Sequence, residues 1–190
     1  MAKFIEGETF ENQEFLKIFE GLSEFENCIF KKCEAAEIDF SRKTFVDCEF
    51  INCNLTGIKL GQTAFKNCTF KSCKLMGLHF FNCNTFLLEF HFQECTLDLS
   101  SFYGLKIPKT QFKTCRLHEV DFTNAELKGS IFSGSSLASA LFDNTNVELC
   151  DFRNTENLNL SPILNSIKKA IFDRQSAMGL LHALQIIIKD

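Results

Sequence analysis

Ten cysteines and four histidines are the residues of this chain best suited to hold a metal, form disulfides or act as nucleophile and base. Their spacing argues against all three. No Cys-x-x-Cys pair occurs, and His79, His91, His118 and His182 stand far apart without a recognisable nucleophile or ligand motif. A glycine-rich phosphate loop is missing as well, so no catalytic residue, metal ligand or cofactor is expected. The cysteines share one place in a five-residue frame. Cys28, Cys33, Cys48, Cys53, Cys68, Cys73 and Cys83 lie two residues before the centres of a first frame, and Cys95, Cys115 and Cys150 two before those of a second. Ser100, Thr110, Ala125, Ser130, Ser135, Ala140 and Thr145 take the same place elsewhere. Such a slot wants a small side chain, and a buried free cysteine serves as one. Packing is therefore preferred over metal binding or disulfides, although the columns Cys28/Cys48/Cys68 and Cys33/Cys53/Cys73 come close enough to oxidise. Reduced thiols fit a cytoplasmic setting.

The frame itself is the strongest feature of the chain. Counting in fives from Phe92 gives Phe92, Leu97, Phe102, Ile107, Phe112, Leu117, Phe122, Leu127, Phe132, Leu137, Phe142, Val147 and Phe152. A helix repeats near 3.6 and a half-buried strand at 2, so a strict five makes each pentapeptide one structural step. Four steps close a square turn. Folding at twenty residues tests this, because residues twenty apart then stack in successive coils. Phe92, Phe112, Phe132 and Phe152 form one column, Leu97, Leu117 and Leu137 a second, Phe102, Phe122 and Phe142 a third, and Ile107, Leu127 and Val147 a fourth. Like falls on like. Before Phe92 the rule holds in another frame, from Phe10 through Phe15, Phe25, Phe30, Phe40, Phe45, Phe50, Leu55, Leu60, Phe65, Phe70 and Leu75 to Phe80, with Glu20 and Ala35 as exceptions. Phe80 and Phe92 are two residues too far apart for two steps, so an insertion within residues 85–91 must bulge or loop from the coil.

Expected, then, is an all-β solenoid: a right-handed quadrilateral β-helix of about seven coils, some 30–35 Å long at about 4.8 Å per coil. Residues 1–8 lead into it or cap it, residues 9–155 form it with a register break at about 81–91, and residues 156–190 make a helical capping and dimerisation segment. Phenylalanine, at 23 residues against one tyrosine and no tryptophan, fills most of the centres. At about 1.5–3 kcal/mol per buried large side chain, that core needs neither disulfide nor metal.

After Phe152 the fives stop. Ser161-Pro162 reads as an N-cap with proline at the first helical position, predicting a short helix over 162–169. Asp173 or Ser176 can cap a second helix carrying Leu180, Leu181 and Leu184, and Ile186, Ile187 and Ile188 read as a terminal strand. An open coil edge must be covered, but this tail is more apolar than a lid requires. The excess is read as a homodimer interface, with a monomeric lid as the alternative.

The net charge of −4 conceals a pattern along the chain. Residues 1–50 hold 12 acids and 6 bases, 51–118 hold 3 and 8, 119–156 hold 7 and 2, and 157–190 hold 2 and 4. Glu119, Asp121, Glu126, Asp143, Glu148 and Asp151, read as outward corner positions, would form a negative surface for a basic partner. Ordinary solvation of a solenoid's outside is the competing account. Direct nucleic-acid binding is weakly supported, because basic patches alternate with acidic ones and do not interleave with aromatics. The opening MAKFIEGETF has no signal-peptide core and no run of about 18 apolar residues could span a membrane, so a cytoplasmic protein is expected.

The steps VDFTN, AELKG and CDFRN resemble the pentapeptide-repeat family, whose consensus is Ala-Asp/Asn-Leu-x-x with Phe often replacing Leu. Over about three quarters of the chain the resemblance implies inward centre residues with small residues before them. The tail NLSPILNSIKK…LLHALQIIIKD resembles that of the gyrase-interacting group of Qnr, MfpA, McbG and AlbG. That likeness implies a two-fold dimer mimicking B-form DNA, which engages DNA gyrase or topoisomerase IV and protects it from quinolones or gyrase-poisoning toxins, giving antibiotic resistance or immunity without catalysis. Large external loops are missing, which points toward the immunity-type members. A scaffold for an unrelated protein partner is the competing class.

Overall fold

The structure, a computed structural model, describes residues 4–12, 19, 21–181, 184 and 186. Each pentapeptide makes one side of a square coil, and the coils stack as a right-handed β-helix held by parallel backbone bonds. Strands β1 (Phe4–Glu6), β3 (Glu24–Glu26), β5 (Thr44–Val46) and β7 (Ala64–Lys66) form one four-stranded sheet. Strands β2 (Thr9–Glu11), β4 (Ile29–Lys31), β6 (Glu49–Ile51), β8 (Cys68–Lys71), β9 (Phe90–Gln93) and β10 (Phe112–Lys113) form a second, six-stranded sheet. The remaining sides are joined by single parallel bridges, such as Arg116 to Ser136 to Glu156 and Ser101 to Asp121 to Leu141. Register is twenty throughout, Phe10 opposite Phe30 and Phe30 opposite Phe50, except across the insertion, where Phe70 faces Phe92.

Four faces result, named here by their inward residues. The first holds a continuous stack of Phe10, Phe30, Phe50, Phe70, Phe92, Phe112, Phe132, Phe152 and Phe172, with neighbouring centroids 4.6–5.4 Å apart. The second holds Leu55, Leu75, Leu97, Leu117 and Leu137, and the third Phe40, Leu60, Phe80, Phe102, Phe122 and Phe142. The fourth runs from Phe25, Phe45 and Phe65 to Ile107, Leu127 and Val147. Rings within a column stack nearly parallel. Rings of the first and third columns meet edge-on across the interior, as Phe112 and Phe122 do at 5.5 Å and 80°. Both geometries suit the ring quadrupole. All eight expected core residues, Phe92, Leu97, Phe102, Phe112, Phe122, Phe132, Phe142 and Phe152, are buried.

Corners demand an unusual backbone. The second residue after most centres adopts a positive φ, at 51° for Asn27, 51° for Lys32, 59° for Asn124 and 74° for Gly129. An L-residue there costs roughly 1–3 kcal/mol. In return its N–H reaches the next coil: Asn27 donates to the Val46 carbonyl at 3.0 Å, Lys32 to Ile51 at 2.9 Å and Asn124 to Asp143 at 2.8 Å. Closing the ladder offsets the strain.

Two irregular places bear on function. At the register break, residues 84–88 bulge from the fourth face, with Leu87 at φ 57° and the Asn84 carboxamide accepting the Phe86 N–H at 2.9 Å. Phe90, meanwhile, swings inside against Phe80 and Phe65. The four-stranded sheet ends there, at β7. The C-terminal end also departs from expectation, because residues 162–169 are not helical. Ser161 Oγ does accept the N–H groups of Ile163 and Leu164, at 3.3 Å each, but the chain then rejoins the coil. Ser166 donates to the Thr145 carbonyl at 3.1 Å and Ile171 to that of Cys150 at 2.8 Å. One or two helical turns are marginal alone, and the ladder satisfies the exposed coil edge better. Asn165 completes that coil: its carboxamide accepts the Thr145 N–H at 2.9 Å and donates to the carbonyls of Phe142 (2.8 Å) and Ser161 (3.0 Å).

Helix α1 (Arg174–Leu181) then covers the last coil. Of its two possible caps, Asp173 is the one used. Its carboxylate accepts the Ser176 N–H at 2.9 Å, while Ser176 Oγ accepts the Asp173 N–H at 3.0 Å.

Candidate partner-binding surface

With the centres sealed inside, any chemistry must happen on the four flat faces or their corners. The cysteines do not supply it. All ten are free and buried. In the column Cys33, Cys53, Cys73, Cys95, each thiol above the first accepts the backbone N–H of the cysteine one coil earlier, at 3.4 Å, and Cys115 N–H reaches Ser135 Oγ at 2.8 Å. The same thiols point to carbonyls of the neighbouring coil, Cys53 to Phe30 at 3.3 Å and Cys73 to Phe50 at 3.3 Å. They are small hydrogen-bonding wall residues. Burial pushes the Cys48, Cys83 and Cys150 thiols up to about 12, so none of these three is a poised nucleophile. In the hydrogen-bonded column, the neighbouring cysteines push Cys53 and Cys95 down and Cys33 and Cys73 up, while burial keeps all four from solvent.

Among the described residues, His91 accepts the Gln111 N–H at 3.3 Å and lies 3.8 Å from Glu89, and His118 makes a contact that its sequence spacing concealed. His118 Nε2 lies 2.8 Å from Ser136 Oγ on the second face, beside buried Asp98, which pairs with Arg116 at 2.7 Å and accepts the His118 N–H at 3.2 Å. Asp98 therefore orients the His118 backbone and not its ring, unlike the acid of a catalytic triad. The surface cavities lined by Glu34 and Lys74, by Lys128 and Lys168, and by Asn157 and Met178 measure about 250, 210 and 170 Å³. All fall below the roughly 300 Å³ usual for small-molecule sites. Among the described residues no cluster of His, Cys, Asp or Glu is arranged to hold a metal, and no helix is long and apolar enough to cross a membrane.

The six acidic candidates separate into two sets. Glu119, at φ 57°, is on the corner between the second and third faces. Asp121 lies flat on the third face, bridged between Ser101 and Leu141, and Asp143 stands exposed on that face one coil further. These three are brought together, and among the described residues none is in an ion pair. Of the other three, two are in ion pairs and Glu126 stands opposite a lysine. Glu126 lies in register with Lys106 on the fourth face, and Glu148 pairs with Lys128 at 3.2 Å. Asp151, on the first face, is clasped by Arg153 Nε at 2.9 Å and Nη2 at 2.7 Å, which holds its carboxyl below the usual range. The expectation of corner positions is corrected for Asp121, Glu126 and Asp151. They precede centres and so lie on the flat sides, where the backbone is extended.

A second acidic group escaped the sequence reading. Glu6, Glu24 and Glu26 lie on the fourth face and Asp47 on its adjoining corner, within its first three levels. Sorting charges by column, not by stretch of chain, would have found them. The third face adds exposed Phe81, Tyr103 and Leu141 near Asp121 and Asp143. Of the expected dimer residues, Leu180 and Leu181 are half-buried on α1 and Leu184 and Ile186 are exposed. Ile187 and Ile188 lie outside the described residues.

Comparison with known proteins agrees with this architecture. The family described as right-handed β-helix region matches residues 3–114, and pentapeptide repeats, in 8 copies, match residues 115–154. Two structures of trypsin-treated QnrB1, a plasmid-mediated fluoroquinolone resistance protein, superpose with TM-scores of 0.64 and 0.54 at 19% and 18% identity. In both cases all of this chain is covered, with 99% and 100% of the other. No curated protein sequence matches the chain. Square coils, stacked rings and left-handed corners together with these matches establish that the chain belongs to the right-handed β-helix family, as a pentapeptide-repeat protein with a Qnr-like fold.

Proposed function

We propose that this protein is a non-enzymatic mimic of DNA that binds DNA gyrase or topoisomerase IV and protects it from fluoroquinolones or gyrase-poisoning toxins. The observation that carries the reading is the unneutralised acidic group Glu119, Asp121 and Asp143 on a straight, closed rod. Anions fixed on a rigid surface receive a basic DNA-binding groove without ordering cost. Duplex DNA bears about one charge per 1.7 Å of axis, so three carboxylates over two coils make a short anionic track and not a full copy of a duplex. The fluoroquinolone resistance role of QnrB1 supports the same class of partner. The apolar tail, Leu180, Leu181, Leu184 and Ile186 with Ile187 and Ile188 beyond, joins two rods end to end in a cytoplasmic homodimer. Deleting residues 174–190 should then leave a monomer in light scattering at about 1 M salt, where only apolar contacts hold copies together.

The test is gyrase supercoiling with and without ciprofloxacin. Purified protein should inhibit supercoiling or restore it against the drug, and Glu119→Lys, Asp121→Lys and Asp143→Lys together should remove the effect. No inhibition and no rescue at micromolar protein would overturn the proposal.

A second reading has its own support. Phe81, Tyr103 and Leu141 are 43%, 50% and 55% exposed on the same face, an apolar feature that duplex DNA does not present to a protein groove. A scaffold for an unrelated protein partner would use them as anchors with the acids as rim. Binding lost through Phe81→Ser and Tyr103→Ser, and kept through the acidic substitutions, would select it.

A further inference from the structure

The fourth face carries a charge dipole along the rod. Its first three levels present Glu6, Glu24 and Glu26, with Asp47 on the adjoining corner, none in an ion pair among the described residues. Its last four, from Ile107 to Ile167, present Lys106, Lys128 and Lys168 against Glu126 and Glu148; Lys128 is paired with Glu148, so the positive excess rests on Lys168 and on Lys109 and Lys169 at the adjoining corner. Midway stands the bulge of the register break, with Phe86 69% and Leu87 65% exposed. The Lys66 ammonium lies over the Phe86 ring at 5.8 Å. Four coils lie on each side of that bulge, with centres Ile5, Phe25, Phe45 and Phe65 before it and Ile107, Leu127, Val147 and Ile167 after it.

We propose that the fourth face is a self-complementary docking surface on which a second copy of the chain lies antiparallel, bulge against bulge. A two-fold axis through the bulge sets the acidic levels of each copy over the lysine levels of its partner. The parallel arrangement would oppose like charges along its whole length, so electrostatics selects the antiparallel one. The pattern is that of an ordinary interface, an apolar centre with a charged surround. Nine coils at about 4.8 Å and a side of about five residues give a face of roughly 40 by 16 Å, or about 650 Å² per copy. That lies near the low end for specific association, so the pairing is reversible and sensitive to salt. It is lateral, and therefore separate from the end-to-end pairing proposed for the tail, which buries apolar side chains and resists salt.

Sedimentation of the full chain at low salt and at about 1 M, where the screening length is about 3 Å, reads the pairing directly. The mass should fall at least two-fold as salt rises. Two variants sharpen the test. One carries Glu6→Lys, Glu24→Lys, Glu26→Lys and Asp47→Lys; the other carries Lys106→Glu, Lys128→Glu and Lys168→Glu. All seven sites are surface positions whose substitution leaves the ring columns intact. Each variant alone should stay at the high-salt mass under low salt, and an equimolar mixture should regain the larger species. A mass independent of salt, or charge-reversed variants that fail to combine, would overturn the proposal.

Discussion

Replacing Gly179 with alanine sets two effects of opposite sign against each other, and the structure decides between them. On propensity alone, alanine in a helix interior should stabilise by about 1 kcal/mol over glycine. But α1 docks so closely that a Cβ at position 179 would sit 2.2 Å from the Leu158 carbonyl oxygen and 2.9 Å from its carbon. Both are backbone atoms and cannot rotate away. The helix must lift, losing the bond from Leu160 N–H to the Gly179 carbonyl (3.3 Å) and exposing its own Ser176, which is buried against the last coil. Overpacking costs about 1–3 kcal/mol and a lost hydrogen bond about 0.5–1.5 kcal/mol, so the sum exceeds the propensity gain by about 0.5–3.5 kcal/mol. The loss is local, because the rod beneath keeps its ladder. Amide exchange across Arg174–Leu181 should quicken by about ten- to a hundred-fold in Gly179→Ala while the coils stay protected. Slower exchange in the helix, or a raised melting temperature, would refute the close approach.

Three further outcomes are expected. Phe122→Ala opens a cavity between the rings of Phe102 and Phe142 and should cost about 3–5 kcal/mol in urea unfolding. Asn165→Leu removes all three hydrogen bonds of the carboxamide and leaves the Thr145 N–H unpaired, so a loss of about 2–4 kcal/mol is expected by the same measurement, with exchange at Thr145 accelerated. Alkaline pH should destabilise the rod. Burial raises the folded thiols of Cys48, Cys83 and Cys150 from 9.0 to about 12, so an unfolded chain ionises first. Stability is full below about pH 9 and declines from there to about 12, visible as a falling melting temperature that Cys48→Ser should partly abolish.

Much of the fold is legible because the repeat is a local rule: each pentapeptide needs a large apolar centre, a small residue two before it and a residue tolerating positive φ two after. The columns of Phe112 and Phe122, and the common slot of Cys53, Ser135 and Thr145, follow from it. The break in the fives is visible in the sequence, but not that Phe90 turns inward while Phe86 stays out. That choice depends on the space left by Phe65, Phe80 and Phe102, which no neighbour in sequence reports. The helix expected over 162–169 rested on genuine local signals, and Ser161 does make its turn. The unpaired edge of the last coil outweighed them.

The sequence by itself determined the period, the inward residues and the position of the register break, because a centre is a property of one pentapeptide. The surface was decided only by closing the coil. Asp143 joins Glu119 and Asp121, and Glu126 and Glu148 come opposite Lys106 and Lys128, because charges about twenty residues apart become neighbours at roughly one strand spacing, whereas the Asp151–Arg153 pair is local in sequence. Electrostatics acts through that short distance and not along the chain.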